Sequence, residues 1–148
     1  MRLWHKGLID VLPREQLVAQ WRECSAIAGN ILKNNTPNHI LVNKVMDYNF
    51  SHFITYSLLI RQEMTNRGYN TMDKVWEKII SINNNQSYEI IDIENLYKDW
   101  HNLRYFLQCY FNLQEKYDCD GITEEDWNKI EERKNYIIGG YCCGKSKN

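Results

Sequence analysis

Residues 1–29 read MRLWHKGLIDVLPREQLVAQWRECSAIAG, and the half from Pro13 onward decides the fold. Proline suits the first turn of a helix, where its missing N–H loses no partner, and Gly29 suits a C-terminal cap. Between them Leu17, Trp21, Cys24 and Ala28 recur at helical spacing, so the sequence predicts a helix over Pro13–Ala28 with that stripe on the core. At about 100° per residue, Glu23 falls roughly 100° from the stripe, alongside Gln16 and Ala19, with Ala26 and Arg22 further round. Two small alanines leave room for a substrate backbone beside the carboxylate.

Outward from this helix the same periodicity continues. Phe50, Phe53, Ile54, Leu58 and Met64 mark a second helix closing at Gly68, with Arg61 and Arg67 on its polar side. Met72–Ile82 predicts a short amphipathic helix ending before the Asn83-Asn84-Asn85 loop. Ile93, Leu96, Trp100, Leu103, Leu107 and Tyr110 predict one long helix over Asp92–Leu113. Thr123-Glu124-Glu125-Asp126 resembles a capping box that opens a last helix through Arg133. Residues 30–48 lack a clear period and read as an irregular connection that contains Lys33, His39 and Lys44. The expected fold is all-α, a compact single-domain helical bundle with irregular connections spanning residues 1–148.

The opening residues carry the chemistry. An N-terminal α-amine titrates near 8 against about 10.4 for lysine, so more of it is the neutral nucleophile at physiological pH. Arg2 is too large for the aminopeptidase that trims initiator methionine, so Met1 is expected to persist with its amine free. An amine and a carboxylate, Met1 and Glu23, make a Schiff-base site.

Read as one string, Met1–Gly29 resembles the pyrimidine-dimer DNA glycosylase family, in particular the branch that opens MRLWH and carries Gln-Trp-Arg-Glu-Cys. The resemblance implies Met1 as nucleophile, Glu23 as catalytic carboxylate, and Arg2, Arg22 and Gln16 as DNA-binding residues. Two later echoes keep the family's order: Arg67-Gly68-Tyr69-Asn70 resembles its Arg-Gly-aromatic-Asn turn, and Lys129-Ile130 with Arg133 resembles a C-terminal helix that contacts phosphate. His5, close to the amine in sequence, is a candidate for proton transfer. The family's activity implies a glycosylase and abasic-site lyase for ultraviolet-induced cyclobutane pyrimidine dimers, with no metal or organic cofactor. The phage member has histidine where Gln16 stands and arginine where Ala26 stands, and its C-terminal aromatic run is replaced by Asn135-Tyr136-Ile137-Ile138-Gly139-Gly140-Tyr141. These departures keep two alternatives open: the same chemistry on another lesion such as a plain abasic site, or a helical DNA-binding or protein-interaction module without catalysis.

Composition bounds the rest. Five cysteines, at 24, 109, 119, 142 and 143, are odd in number and irregular in spacing, which argues for reduced thiols and against a zinc site. The net charge of −1 is unusual for a DNA binder, but it is unevenly spread. Residues 1–67 hold eight Lys/Arg against five Asp/Glu, whereas residues 68–148 hold ten against fourteen. The positive half carries the resemblance, and the acidic run from Glu115 to Asp126 is expected to face away from the duplex. No signal peptide or membrane span is apparent, so the expectation is a soluble, intracellular, nucleoid-associated monomer whose partner is double-stranded DNA with damaged or abasic sites. The aromatics, five Trp and ten Tyr among them, sit mostly on the helix stripes and read as core.

Overall fold

Apolar residues at three- and four-residue spacing force helices here, and no strand occurs among the described residues of this computed structural model, which are 1–146, with side chains through Gly140. A short 3-10 helix, Lys6–Val11, precedes α1 (Arg14–Asn34); a second, Asn43–Asp47, precedes α2 (Phe50–Asn66). Then follow α3 (Asp73–Ser81), α4 (Leu103–Asp118) and α5 (Glu124–Ser146). Helix α1 lies against α2 and α3, α4 against α5, and α5 returns to the first 3-10 helix. Leu17, Trp21, Cys24 and Ala28 enter the single core with Leu3, Phe53, Ile60 and Phe106.

Three boundaries differ from the sequence expectation. Helix α1 runs past Gly29 to Asn34, where Asn35 adopts φ 58° and returns its N–H to Ile31 O at 2.9 Å. A mid-helix glycine costs about 1 kcal/mol, and burying Ile31 on the extended stripe recovers roughly 1.5–3 kcal/mol. The predicted 92–113 helix is broken: Tyr97 (φ 48°) and Asp99 (φ 64°) are left-handed, and α4 starts only at Leu103, capped by Asn102 Oδ1 accepting from Tyr105 N–H at 2.9 Å. Irregular turns there bury Leu96, Tyr97, Trp100 and His101 together. Finally, α5 opens as expected, with Thr123 Oγ1 accepting from Asp126 N–H at 3.2 Å, but continues well past Arg133. Residues 30–34 belong to α1, leaving the irregular connection shorter than expected. The Cys142 and Cys143 side chains and that of Tyr141 lie outside the described ones.

Two stacked histidines join the N-terminal segment to the turns before α4, with ring centroids 5.1 Å apart. His5 Nδ1 accepts from Gly7 N–H at 2.9 Å, so its proton sits on Nε2, 3.0 Å from His101 O. His101 Nδ1 accepts from Lys6 N–H at 2.9 Å. Burial pushes His5 down to about 4 against the opposing His101 carbonyl, and burial with the His5 and Lys6 charges pushes His101 down to about 2. Below pH 6.5 the unfolded chain takes up protons at both rings that the folded chain refuses. Stability is therefore full above pH 6.5 and falls with acid, down to about pH 4 for His5 and about pH 2 for His101, at up to ~1.4 kcal/mol per pH unit for each ring. Urea midpoints measured at pH 7.5, 6 and 5 are expected to descend, and His5→Asn to flatten that descent; an equal slope in the variant would remove His5 from the account.

Candidate active site

The segment Met1–His5 has no secondary structure of its own, yet Leu3 and Trp4 are buried. Buried backbone groups without a ladder need other partners, and here side chains from three helices supply them. Gln20 of α1, 0% exposed, donates through Nε2 to Arg2 O at 2.9 Å and accepts at Oε1 from Trp4 N–H at 2.8 Å. Tyr56 OH of α2 lies 2.7 Å from Trp4 O and 2.9 Å from Gln20 Oε1. Tyr105 OH of α4 donates to Leu3 O. The carbonyls of residues 2, 3 and 4 thus each accept from a different helix.

This stitching brings the Arg2 backbone to Glu23. Arg2 N–H points at Glu23 Oε2 at 3.4 Å, and Gln20 Nε2 donates to the same oxygen at 3.2 Å. One carboxylate oxygen is held by protein; Oε1 has no hydrogen bond among the described residues. Met1, one residue upstream, is 38% exposed, and no ion pair among the described residues involves its amine. The Arg2 guanidinium lies over the Trp4 ring, 5.3 Å from its centroid, with Nη1 3.9 Å from Cys109 Sγ. It pairs with no carboxylate among the described residues, which leaves donors for an anion. Arg22 is exposed next to Glu23. Gln16 sits one turn of α1 before Gln20, its Oε1 shielded from water and without a partner among the described residues.

The remaining residues singled out from sequence lie elsewhere. His5 has both ring nitrogens hydrogen-bonded to backbone, at Gly7 N–H and His101 O. Arg133 is spent, gripping the Asp10 carboxylate with two bonds of 2.6 and 2.8 Å and Gly7 O at 2.7 Å. The guanidinium holds Asp10 below the usual carboxylate range, so Arg133 ties α5 to the first 3-10 helix rather than standing free for phosphate. Lys129 is exposed and borders a polar cleft of about 370 Å³ with Arg14, Arg67 and Tyr69. That cleft meets α1 at Arg14, about 13 Å along the helix from Glu23. Arg67 of the Arg-Gly-Tyr-Asn turn bonds Leu12 O at 2.7 Å and Glu63 at 3.0 Å, while Gly68 takes φ 80°.

Sequence reasoning missed Gln20, Tyr56 and Tyr105. Gln20 had a signal: it lies between the apolar stripe and Glu23 on the helical wheel, where a polar side chain must enter the core edge and find partners there. Gln20→Leu leaves Arg2 O and Trp4 N–H unpaired in a dry site, and each orphan costs ~1–3 kcal/mol. The expected result is a urea-unfolding stability lower by about 3 kcal/mol, with Gln20→Glu recovering only the Trp4 bond; a loss under a tenth of that would show the segment held without Gln20.

Among the described residues, no group of three or more His, Cys, Asp or Glu is arranged to hold a metal ion, and no helix is long and apolar enough to cross a membrane. No curated protein and no solved structure matches the chain. The family model of the pyrimidine dimer DNA glycosylases matches residues 1–77, the stretch that contains Met1, Arg2, Gln20, Arg22 and Glu23. With more than half of its 148 residues matched, the chain belongs to the pyrimidine dimer DNA glycosylase family, and its activity is of that general kind.

Proposed function

We propose that the protein is a bifunctional enzyme that cleaves the glycosidic bond of one base of a cyclobutane pyrimidine dimer, the base staying joined to its neighbour through the cyclobutane ring, and then cuts the strand at the resulting sugar. The observation that carries this reading is the side-chain stitching of residues 2–4, which holds the Arg2 N–H, one residue from Met1, against a Glu23 carboxylate whose other oxygen is unbonded among the described residues. The Met1 nitrogen attacks C1′ of the deoxyribose, the base departs with the glycosidic electron pair and is protonated, and the C1′–O4′ bond opens to a protonated imine. That imine acidifies C2′. Glu23 removes the C2′ proton, and the C3′–O bond breaks with its electrons leaving on the 3′ phosphate. Water then hydrolyses the imine and frees the amine.

Arg2 and Arg22 hold the phosphates on either side of the damaged sugar, and Gln16 faces the same approach. Lys129 of α5 adds a backbone contact at the cleft beside Arg14. Extruding a base relieves the problem that C1′ is buried in an intact helix. The test uses protein with its native Met1 exposed, abasic-site duplex and borohydride, with mass mapping of the product. The expected result is one reduced adduct on the Met1 amine. A free terminus that gives no adduct would return the protein to a DNA-binding module without catalysis.

A further inference from the structure

The connection between α1 and the second 3-10 helix holds two apolar side chains in water and is built to keep them there. Ile40 is 86% exposed and Leu41 49%, while Pro37 and Val42 on either side are buried. Side chains brace the tip: Asn30 Nδ2 donates to Pro37 O at 3.1 Å, Asn43 Oδ1 accepts from His39 N–H at 3.0 Å, and His39 Nδ1 accepts from Leu41 N–H at 3.2 Å. Across from the tip, α4 and Trp100 complete a groove of about 330 Å³. Lys44 and Arg104 flank it, and no carboxylate among the described residues lines it. Tyr105, on its floor, is the residue whose hydroxyl holds Leu3 O, and one turn further Cys109 touches the Arg2 guanidinium.

We propose that the Asn38–Leu41 tip is a wedge for duplex DNA: Ile40 and Leu41 enter the base stack beside the damaged nucleotide, with Lys44 and Arg104 on the phosphates of the strand they part. This rests on the active-site reading above. Two side chains are far too small a patch for a stable protein interface, which needs about 800 Å² per partner. They suit a base step, where a short apolar insertion props open the kink through which a nucleotide leaves the helix. The cations without a facing carboxylate match a phosphate backbone. Bracing the tip in advance avoids ordering it on binding.

The test pairs the Ile40→Ser/Leu41→Ser protein with wild type on a duplex carrying a non-cleavable tetrahydrofuran abasic analogue next to 2-aminopurine. Wild type is expected to raise the 2-aminopurine fluorescence; the variant is expected to lose that rise and to bind about tenfold more weakly. Its borohydride trapping on single-stranded abasic oligonucleotide, where nothing needs parting, should equal wild type. Lys44→Ala should lower the salt slope of duplex binding by about 1. An undiminished fluorescence rise and affinity in the double variant would overturn the wedge. So would wild-type self-association by sedimentation that the double variant abolishes, which would assign the patch to a second copy. Absence of any adduct with wild type would instead strike the active-site reading, and the fluorescence and affinity arms, which need no chemistry, would still judge the wedge.

Discussion

Glu23→Gln is expected to lower single-turnover strand cleavage at an abasic site by about a thousandfold, within the range general acid–base groups contribute. The fold should hold, because glutamine keeps the acceptor oxygen that Arg2 N–H and Gln20 share at 3.4 and 3.2 Å. What changes is the second oxygen. In the native protein Oε1 is unbonded among the described residues, and in the proposed mechanism it stabilises the cationic sugar and takes the C2′ proton. An amide nitrogen there is neither anion nor base. Thermal unfolding within a degree or two of wild type, together with the collapse of cleavage, is the outcome expected; near wild-type turnover would remove Glu23 from its role. Trapping divides the effect further, since in the proposed mechanism attack on C1′ uses the amine and elimination uses the carboxylate: borohydride should capture adduct from the variant in greater proportion to the cleaved strand.

The reach of sequence reasoning follows from how local each determinant is. Helix α2 was legible because its apolar spacing, its Asn49 cap onto Ser51 N–H at 2.8 Å and its Gly68 terminator lie within twenty residues of one another. Residues 92–102 misled, because Leu96 and Trp100 keep a four-residue spacing while left-handed Tyr97 and Asp99 turn the chain out of a helix, and tertiary burial of the aromatics outweighs local propensity. Gly29 misled in the opposite direction, as a helix terminator overruled by the burial of Ile31. At the site, Arg22-Glu23 was legible as a motif, but the means of placing it was not. Trp4 finds its partner 16 residues away and Leu3 finds its own 102 residues away, and no short-range pattern encodes either. His5 likewise meets a distant partner, His101 O 96 residues away, as well as the local Gly7 N–H.

Acetylating the Met1 amine is expected to abolish the borohydride adduct while leaving duplex binding within about twofold of wild type. An acetamide nitrogen has its lone pair in the amide and cannot attack C1′. Folding should not suffer, since Met1 is partly exposed and the bonds that fix the segment begin at Arg2. Adding one residue before Met1 is a harsher form of the same change, because the new amine lies up to about 3.6 Å further along the chain, outside the reach set by the stitched segment. The competing nucleophile nearest in sequence is Lys6, whose amine burial lowers from the usual lysine range. Geometry opposes it: Lys6 Nζ donates to Leu96 O at 2.7 Å and Glu94 O at 3.2 Å, and its backbone N–H is committed to His101. A lysine so held would have to break two hydrogen bonds before attacking, whereas the Met1 amine breaks no ion pair. Acetylated protein that still forms adduct, mapped to Lys6, would therefore move the nucleophile five residues along the chain and require Glu23 to act at a distance from it. Loss of adduct on acetylation, with Lys6→Met trapping as well as wild type, is the pair of results that the stitched segment predicts.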